Sequence, residues 1–427
     1  MDHTHATMLV PSSRARSRWA VSACFFINGA VLASWVPHIP AVKARHAISD
    51  GQLGLVLLAM AVGSVFALPI AGWFINRFGS CRMTIIAAIG FSLTLPLLIL
   101  SPNLASLVSA LVLFGACNGL LDVSMNAQAI EVERAYHRPI MSSFHALFSL
   151  GGLVGASVAG LAMSVGLRDT QHVIAVMTIA VLGILVMLRW LVPSPPQQGD
   201  CGPTFVRPSP AVLGLGMLAF LGLLTEGSMA DWSAVYLHDV LQTNAALAAA
   251  GFATCSLMMA IGRFGGDWIT TRVGSARLLQ GSATLAALGL GSGLLIATPT
   301  AAIAGFGLVG LGIANIIPVL FSAAGKIEGR QAGTALAAVA STGYCGFLTG
   351  PPLIGFVAEH SSLPIALGLV SVCCALIAVG AKVVLTPMQP QTTMRGIASQ
   401  AAPINECLPA SAPVRPFPEK ETTGEEE

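Results

Sequence analysis

The sequence predicts an all-α membrane protein with twelve transmembrane helices. Charged residues make up only 9% of the 427 residues, whereas 55% are hydrophobic. Soluble domains carry about 25% charged residues, so this composition is typical of a chain surrounded by lipid. A helix needs about 20 mainly apolar residues to cross a hydrocarbon layer roughly 30 Å thick, and the chain contains twelve such stretches.

The apolar stretches are separated by short polar connections. Helices are expected for them because a helix pairs all of its backbone groups internally, and the alternating pattern of a membrane barrel is missing. The predicted spans are residues 18–38, 51–75, 83–100, 104–130, 142–165, 171–192, 211–237, 246–269, 278–297, 300–325, 332–358 and 363–385.

The distribution of lysine and arginine predicts the orientation of the chain. With twelve spans, both termini lie on one side of the membrane, and the positive-inside rule makes that side cytoplasmic. Only Lys43, Arg45 and Arg168 then fall outside, and Arg263 lies within a span. The cations placed inside are Arg14, Arg16, Arg18, Arg77, Arg82, Arg134, Arg138, Arg189, Arg207, Arg272, Arg277, Lys326, Arg330, Lys382, Arg395, Arg415 and Lys420.

A segment rich in Pro and Gly, residues 193–210, divides the spans six and six. We therefore expect two six-helix units, at 18–192 and 211–385, joined by a central cytoplasmic loop. Residues 1–17 are predicted to be a cytoplasmic tail. Residues 386–427 lack the apolar residues needed to repay ordering, so they are predicted to be a disordered cytoplasmic tail.

The two units share sequence motifs at nearly constant offsets, which indicates a duplication. One pattern, W-x3-R-x-G-S-x-R, begins at Trp73 and recurs from Trp268, at an offset of 195. Gly115, Asn118 and Glu131 match Gly312, Asn315 and Glu328, at an offset of 197. The first and seventh spans share Asn28-Gly29 and Glu226-Gly227, each followed by a tryptophan, Trp35 and Trp232.

The loop after the second span resembles the signature of the major facilitator superfamily, G-x3-D-R-x-G-x-R/K. Here it reads Gly72-x3-Asn76-Arg77-x-Gly79, with Asn76 in place of the acid and the next cation one place late, at Arg82. The resemblance implies two pseudo-symmetric six-helix bundles and a gating role for these residues and for Arg272 in the repeat. Asn76 lacks the charge–dipole attraction of an acid at a helix N-terminus, roughly 0.3–1 kcal/mol.

Other motifs are similar to the fucose-permease-like carriers, and within them to the YbjJ and MosC group. The similar motifs are Asn118-Gly-x2-Asp122-Val-x2-Asn126, Glu226-Gly-x3-Asp231-Trp232-Ser, Gly262-Arg263-x2-Gly-Asp267 and Gly350-Pro351-Pro352. The likeness runs from about residue 18 to 385. It implies transport of sugars or related polar solutes together with protons, and it does not identify the solute.

Three acids within spans are candidates for proton coupling: Asp122, Glu226 and Asp231. A charged residue at mid-span costs about 2.5–3.5 kcal/mol on insertion scales, so such acids face a wet cavity or a partner. Asn118 and Asn126 lie on the same helical face as Asp122 and extend it into a polar stripe. The alternative is a structural acid satisfied by polar neighbours or by a cation. Asp231 also suits an anchor at the outer end of its span.

Arg263 precedes Asp267 by four residues, which is the spacing of an ion pair within one helix. We interpret this pair as a brace for the gate, with contact to the solute as the alternative.

The sequence also supplies donors, acceptors and aromatic faces for a sugar-like solute. The candidate binding residues are Asn28, Trp35, Asn118, Asn126, Trp232 and Asn315. For the two tryptophans, the interfacial aromatic belt is an equally simple interpretation.

Nothing in the sequence indicates an enzyme, a cofactor or a metal site, and a net charge of +2 does not predict a nucleic-acid partner. The expected partners are a small-molecule solute, protons and the bilayer of the inner membrane, and we expect a monomer. Two alternatives stay open. The same fold could work as an exporter or antiporter, or the protein could be a sensor or scaffold that binds a solute without moving it.

Overall fold

The structure is a computed structural model that describes residues 11–137, 140–193, 209–325 and 331–385. Over these residues the chain is almost entirely helical. Its α-helices are α1 (Pro11–Trp35), α2 (Ile39–Arg45), α3 (Asp50–Phe78), α4 (Ser80–Leu100), α5 (Leu104–Tyr136), α6 (Met141–Ser164), α7 (Asp169–Met187), α8 (Pro210–Val235), α9 (Ala245–Val273), α10 (Ser275–Ile296), α11 (Pro299–Ile313), α12 (Ile316–Gly325), α13 (Gln331–His360) and α14 (Leu363–Leu385).

The helices confirm the predicted fold class. In the described parts of the chain, eleven helical segments are long and apolar enough to cross a membrane, and α11 and α12 together form one of them. The helix α13 is not among the eleven, but its 30 residues exceed the length that a span requires. The count of twelve spans stays a prediction. Residues 194–208 and 386–427, which hold most of the predicted loop and the C-terminal tail, lie outside the described residues.

The helices differ from the predicted spans in three main ways. The first helix begins at Pro11 instead of near residue 18, because its polar first turns contain no helix breaker after Pro11. After Trp35 the chain turns through a short 3₁₀ segment into the unpredicted helix α2, at a point where Pro37 and Pro40 interrupt regular helix. The tenth predicted span is broken between α11 and α12.

Local side chains cap the starts of several spans. Ser49 and Asn103 begin α3 and α5 with capping boxes, and the Asn244 side chain accepts from the backbone of Leu247 at the start of α9. The tight turns α3–α4 and α9–α10 each use one glycine, Gly79 (φ 85°) and Gly274 (φ 84°). Only glycine adopts this backbone conformation without strain, which accounts for the glycine in both copies of the repeated motif.

The two halves of the chain pack their helices in the same pattern. In the first half, α1 packs on α6, α3 on α5, and α4 on both α5 and α7. In the second half, α8 packs on α13, α9 on α11, and α10 on both α11 and α14. This equivalence supports the duplication inferred from the sequence.

Close glycine contacts give the register of the duplication. A Cβ on Gly115 would clash with the carbonyl of Met60, and a Cβ on Gly310 would clash with the carbonyl of Cys255. Met60 and Gly115 thus correspond to Cys255 and Gly310, each at an offset of 195, which is also the offset of the W-x3-R motif. Gly115 therefore corresponds in packing to Gly310, and its match with Gly312 in the sequence is wrong. The offset of 197 for Asn118 and Asn315 then implies two additional residues in the second copy between Gly310 and Asn315, where the break between α11 and α12 lies.

The halves meet where α6 packs on α9 and where α3 packs on α13. We call the end of the molecule that carries α2 the α2 end, and the end that carries the start of α1 the terminal end. At the α2 end α3 and α13 cross closely: a Cβ on Gly54 would lie 2.6 Å from the Pro351 carbonyl oxygen, and one on Gly355 would lie 2.6 Å from that of Asp50. The small residues thus allow the two halves to meet backbone to backbone.

Substitution of Gly115 by alanine is expected to destabilise the protein by about 1–3 kcal/mol, because the new methyl group must push α3 away from α5. The measurement is the melting temperature of the purified protein in detergent. Gly281→Ala is the matched control, because a Cβ at Gly281 would meet nothing within 4 Å. An equal loss in both variants would contradict the close packing of α3 on α5.

Candidate functional site

The centre of the site is Asp122 on α5, whose carboxylate is held from both halves of the protein. Its Oδ2 accepts a hydrogen bond of 2.8 Å from the hydroxyl of Tyr344 on α13. Its Oδ1 accepts one of 3.1 Å from the amide of Asn126, one turn further along α5. Asp122 therefore joins the two halves through Tyr344, near the middle of the helices.

The predicted polar stripe on α5 continues beyond Asp122 and is joined by a residue of α1. Asn126 also donates to the backbone carbonyl of Asp122, at 2.8 Å. Asn28 is buried, and its amide nitrogen lies 3.6 Å from the sulfur of Met125. Within the described residues, the amide oxygens of Asn28 and Asn118 are buried without a hydrogen-bond partner. Buried polar atoms are normally paired, so these two oxygens are candidate acceptors for a bound molecule once the surrounding helices move.

A second polar centre joins Glu226 on α8 to Arg263 on α9. The guanidinium Nη2 lies 3.4 Å from the carboxylate Oε1, and the two side chains are 8% and 20% exposed respectively. This contact corresponds to the alternative of a carboxylate paired with a cation. Glu226 is also close enough to Asp122 and Tyr344 to interact with them electrostatically.

Arg263 ties the two halves together. Its Nη1 donates to the Ser149 hydroxyl at 2.6 Å and to the His145 carbonyl at 3.3 Å, both on α6 of the first half. Its Nε donates to the carbonyl of Ala314, where the helix breaks between α11 and α12. The side chain of Asp267, the partner predicted from the sequence, lies outside the described residues. These contacts make Arg263 a brace between helices and occupy four of its five N–H donors.

Asn315 supports the helices around Arg263. Its amide donates to the carbonyl of Gly262 at 2.9 Å, and its side chain packs directly against Gly266. The amide thus holds the broken part of the tenth span against α9, beside the turn that carries Arg263. The described contacts of Asn315 are helix-packing contacts.

The two candidate tryptophans are inside the protein and do not form an aromatic belt. Trp35 is 3% exposed and Trp232 is 0% exposed, and neither indole N–H has a hydrogen-bond partner among the residues that the structure describes. The tryptophans on the outer surface are Trp19, Trp73 and Trp268, which are 74%, 57% and 59% exposed. The belt interpretation is therefore wrong for Trp35 and Trp232. Asp231, next to Trp232, is partly buried, and no hydrogen bond or ion pair is found for it within the described parts of the chain.

The loop residues expected to brace the gate are exposed at the terminal end. Arg77 stacks on Trp73 and Phe78 of its own helix, and Arg272 lies 4.0 Å above the ring of Trp268. Asn76 and Arg82 are exposed, and a Cβ on Gly72 would meet nothing within 4 Å. In this conformation the described contacts of Arg77 and Arg272 stay within their own halves.

At the α2 end, polar side chains join the two halves, and sequence reasoning missed these contacts. Lys43 on α2 contacts Asp50 of the first half at 2.6 Å and Asp239 of the second half at 2.7 Å. The carboxylate of Glu359, at the end of α13, accepts from the backbone N–H of Gly51 at 3.0 Å. Both Lys43 and Glu359 therefore connect the halves at this end. The signal that could have found Lys43 is its position as one of the few cations on the predicted outer side.

Sequence reasoning also missed Tyr344 and Ser149. Tyr344 is one of three tyrosines and lies in a glycine-rich span, so a lone phenol among apolar residues was the available signal. Serine hydroxyls in membrane helices usually bond to their own backbone, as Ser149 does with His145 at 3.3 Å. Its additional contact with Arg263 depends on how α6 meets α9, which the sequence of α6 does not encode.

The family model of the Major Facilitator Superfamily matches residues 20–326, more than half of the chain. This protein belongs to the Major Facilitator Superfamily. It is 38% identical over 360 residues to an uncharacterized MFS-type transporter of Yersinia pestis, covering 84% of this chain and 94% of the relative. It is 36% identical over 367 residues to the membrane protein MosC of Rhizobium meliloti, covering 84% and 89%. The predicted family resemblance is confirmed at this level, and the protein is a membrane transporter.

Solved structures of the same superfamily share the fold at low sequence identity. A bacterial homolog of the human lysosomal transporter Spinster, in an inward-facing and occupied conformation, superposes with a TM-score of 0.70 at 13% identity, covering 88% of this chain and 97% of that one. The nucleoside transporter NupG superposes with a TM-score of 0.63 at 13% identity, covering 86% and 99%. At such identity the likeness concerns the fold alone.

Arg263→Met is expected to lower the melting temperature strongly, because it leaves the partly buried carboxylate of Glu226 without its cation. Removal of one partner of a buried pair costs about 3–5 kcal/mol, whereas removal of both is often nearly neutral. Addition of Glu226→Gln to Arg263→Met should therefore recover much of the loss. A double variant less stable than Arg263→Met would contradict the pairing of Glu226 with Arg263.

Proposed function

We propose that this transporter carries a small, polar, sugar-like solute across the inner membrane by alternating access, coupled to protons. Membership of the superfamily and the Asp122 centre, which is shared between the two halves, support this proposal most directly. The resemblance of the polar motifs to fucose-permease-like carriers adds the solute class. The oxygens of Asn28 and Asn118 add acceptors that suit hydroxyl groups.

The proposed orientation places both termini in the cytoplasm, so that the α2 end faces outward. The closed contacts of Lys43, Glu359, Gly54 and Gly355 then form an outer gate. The exposed loops around Arg77 and Arg272 lie at an inner gate whose halves have separated. On this proposal the structure represents an inward-facing state, and the outward-facing state requires the Lys43–Asp239 contact to break.

Asp122 is the preferred proton-coupling group. A coupling acid must change its protonation with conformation, and the Asp122 environment changes whenever α5 and α13 move apart because Tyr344 belongs to the other half. Glu226 has a cation partner on its own half, so a proton must compete with Arg263 for the Glu226 carboxylate. We assign Glu226 a secondary role that links proton binding to the contact between Arg263 and α6. Asp231 is the third candidate, and it lies closer to the outer gate.

Asp239→Asn is expected to weaken the outer gate, because it removes the charge that holds Lys43 to the second half. The readout is the labelling of Ser233→Cys, buried on α8, by a membrane-impermeant thiol reagent added from the periplasmic side, in a background without the nine native cysteines. Labelling should rise severalfold.

The matched control for this gate is Asp50→Asn, which removes the other carboxylate on the same lysine but breaks no contact between the halves. It should raise labelling much less than Asp239→Asn. Equal labelling in both variants, or no increase in either, would count against Lys43 as the inter-half closure.

Asp122→Asn is expected to abolish proton movement coupled to solute, because an amide cannot take up the proton. Proteoliposomes loaded with a pH-sensitive dye report internal acidification when a panel of neutral pentoses, hexoses and polyols is added outside one compound at a time. Wild-type protein should respond to at least one compound. Glu131→Gln is the control on the same helix, because the described ion pair of Glu131 is with Arg134, one turn away.

Full proton movement by Asp122→Asn would show that coupling lies elsewhere. Solute binding without counterflow in the same liposomes would favour a sensor over a transporter. Solute-driven alkalinisation in place of acidification would indicate an antiporter.

A further inference from the structure

Tyr344 is the one described side chain of the second half that bonds directly to the Asp122 carboxylate. It lies on α13, the helix that crosses α3 at the closed α2 end. Its ring packs near Phe347, one turn along, with centroids 6.3 Å apart. The hydroxyl donates at 2.8 Å, within the range expected for an O–H group bonded to a carboxylate or carbonyl oxygen.

The Tyr344–Asp122 hydrogen bond differs from the other polar contacts between the halves in how many partners it involves. Lys43 and Arg263 each contact more than one partner, whereas the described hydrogen bonding of Tyr344 consists of this single donation to one oxygen of Asp122. Asn126 holds the other carboxylate oxygen from the same helix, so Asn126 moves with Asp122 when the halves rearrange. Tyr344 does not. A donor from the opposite half is therefore the group whose bond is exchanged when the halves move.

We propose that Tyr344 is a positioning residue for Asp122, holding its Oδ2 until a hydroxyl donor of the solute takes over that oxygen. The inference rests on the proposed function and deepens it. A phenol hydroxyl and a sugar hydroxyl are chemically similar donors to a carboxylate, so one can replace the other without leaving the acid unsatisfied. A solute anion at this position would be repelled by Asp122 and Glu226, so the exchange selects neutral, hydroxyl-bearing solutes.

The charged and titratable groups around Asp122 in the described structure are few. Glu226 on α8 is close enough to interact with it electrostatically, Arg263 on α9 pairs with Glu226, and Tyr344 on α13 donates to it. None of these groups other than Tyr344 donates to Asp122. The protonation of Asp122 should therefore respond to removal of the Tyr344 hydroxyl more than to removal of any distant hydroxyl.

The test uses dicyclohexylcarbodiimide, which modifies protonated carboxyl groups in apolar surroundings and leaves an adduct detectable by peptide mass spectrometry. Purified full-length wild type and Tyr344→Phe are labelled between pH 5.5 and 9. Loss of one hydrogen bond to a carboxylate should move the midpoint of Asp122 labelling upward by about one to two pH units. Asp122→Asn identifies the labelled peptide.

Tyr236→Phe is the matched control. It makes the same chemical change at a buried hydroxyl for which the described part of the chain offers no hydrogen-bond partner. Its labelling curve should coincide with that of the wild type. A curve for Tyr344→Phe that also coincides with the wild type, or absence of Asp122 labelling at every pH in both proteins, would overturn the positioning role.

The exchange with solute is tested by protection. The same panel of neutral pentoses, hexoses and polyols is added before labelling, at pH 6. At least one compound should protect Asp122, and it should protect at lower concentration in Tyr344→Phe, where no phenol competes. Equal protection in both proteins, or protection by none, would overturn the exchange. Because labelling does not depend on transport, failure of the proposed function would appear separately, as unimpaired proton movement by Asp122→Asn.

Discussion

The structure depends on one constraint: a polar group inside the bilayer must find its partner within the protein. For the backbone this constraint produces helices, since only a helix satisfies its own amides in lipid. For side chains it produces pairs, because an unpaired charge at mid-span is expensive. Among the described charges within spans, Asp122, Glu226 and Arg263 follow this rule, whereas Asp231 has no partner among the described residues. Arg263 reaches partners on α6, on α8 and at the break before α12, and Asp122 accepts from Asn126 and Tyr344.

Several of these partners come from the opposite half, so a conformational change that moves the halves apart must also break or exchange these polar contacts. The halves are tied at mid-depth by Asp122 with Tyr344 and by Arg263 with Ser149, and at the α2 end by Lys43 with Asp239. Glycines on α3 and α13 bring the backbones together at that same end. A movement that opens the α2 end must break the outer tie, while the central ties exchange partners. This arrangement suits a cavity that opens to one side at a time.

The sequence predicted the fold because lipid leaves so few alternatives. Apolar length identified the spans, and the repeated motif identified the duplication that the contacts Met60–Gly115 and Cys255–Gly310 reproduce. Asp122 and Arg263 stood out because charges are rare in apolar helices. The partners could not be predicted, because Tyr344 and Ser149 lie far from Asp122 and Arg263 along the chain. The burial of Trp35 and Trp232 was missed because position within a span does not tell lipid from protein.

The central claim is that the α2 end and the terminal end open in alternation. Spin labels at Leu104 and Thr300 would report the α2 end, and labels at Arg82 and Arg277 the terminal end; all four residues are exposed, one of each pair in each half. Pulsed electron spin resonance then gives both distances at pH 5.5 and pH 8, with and without the neutral sugars and polyols. The account predicts that a condition which lengthens one distance shortens the other. Distances that stay fixed in every condition, or that lengthen together, would contradict it.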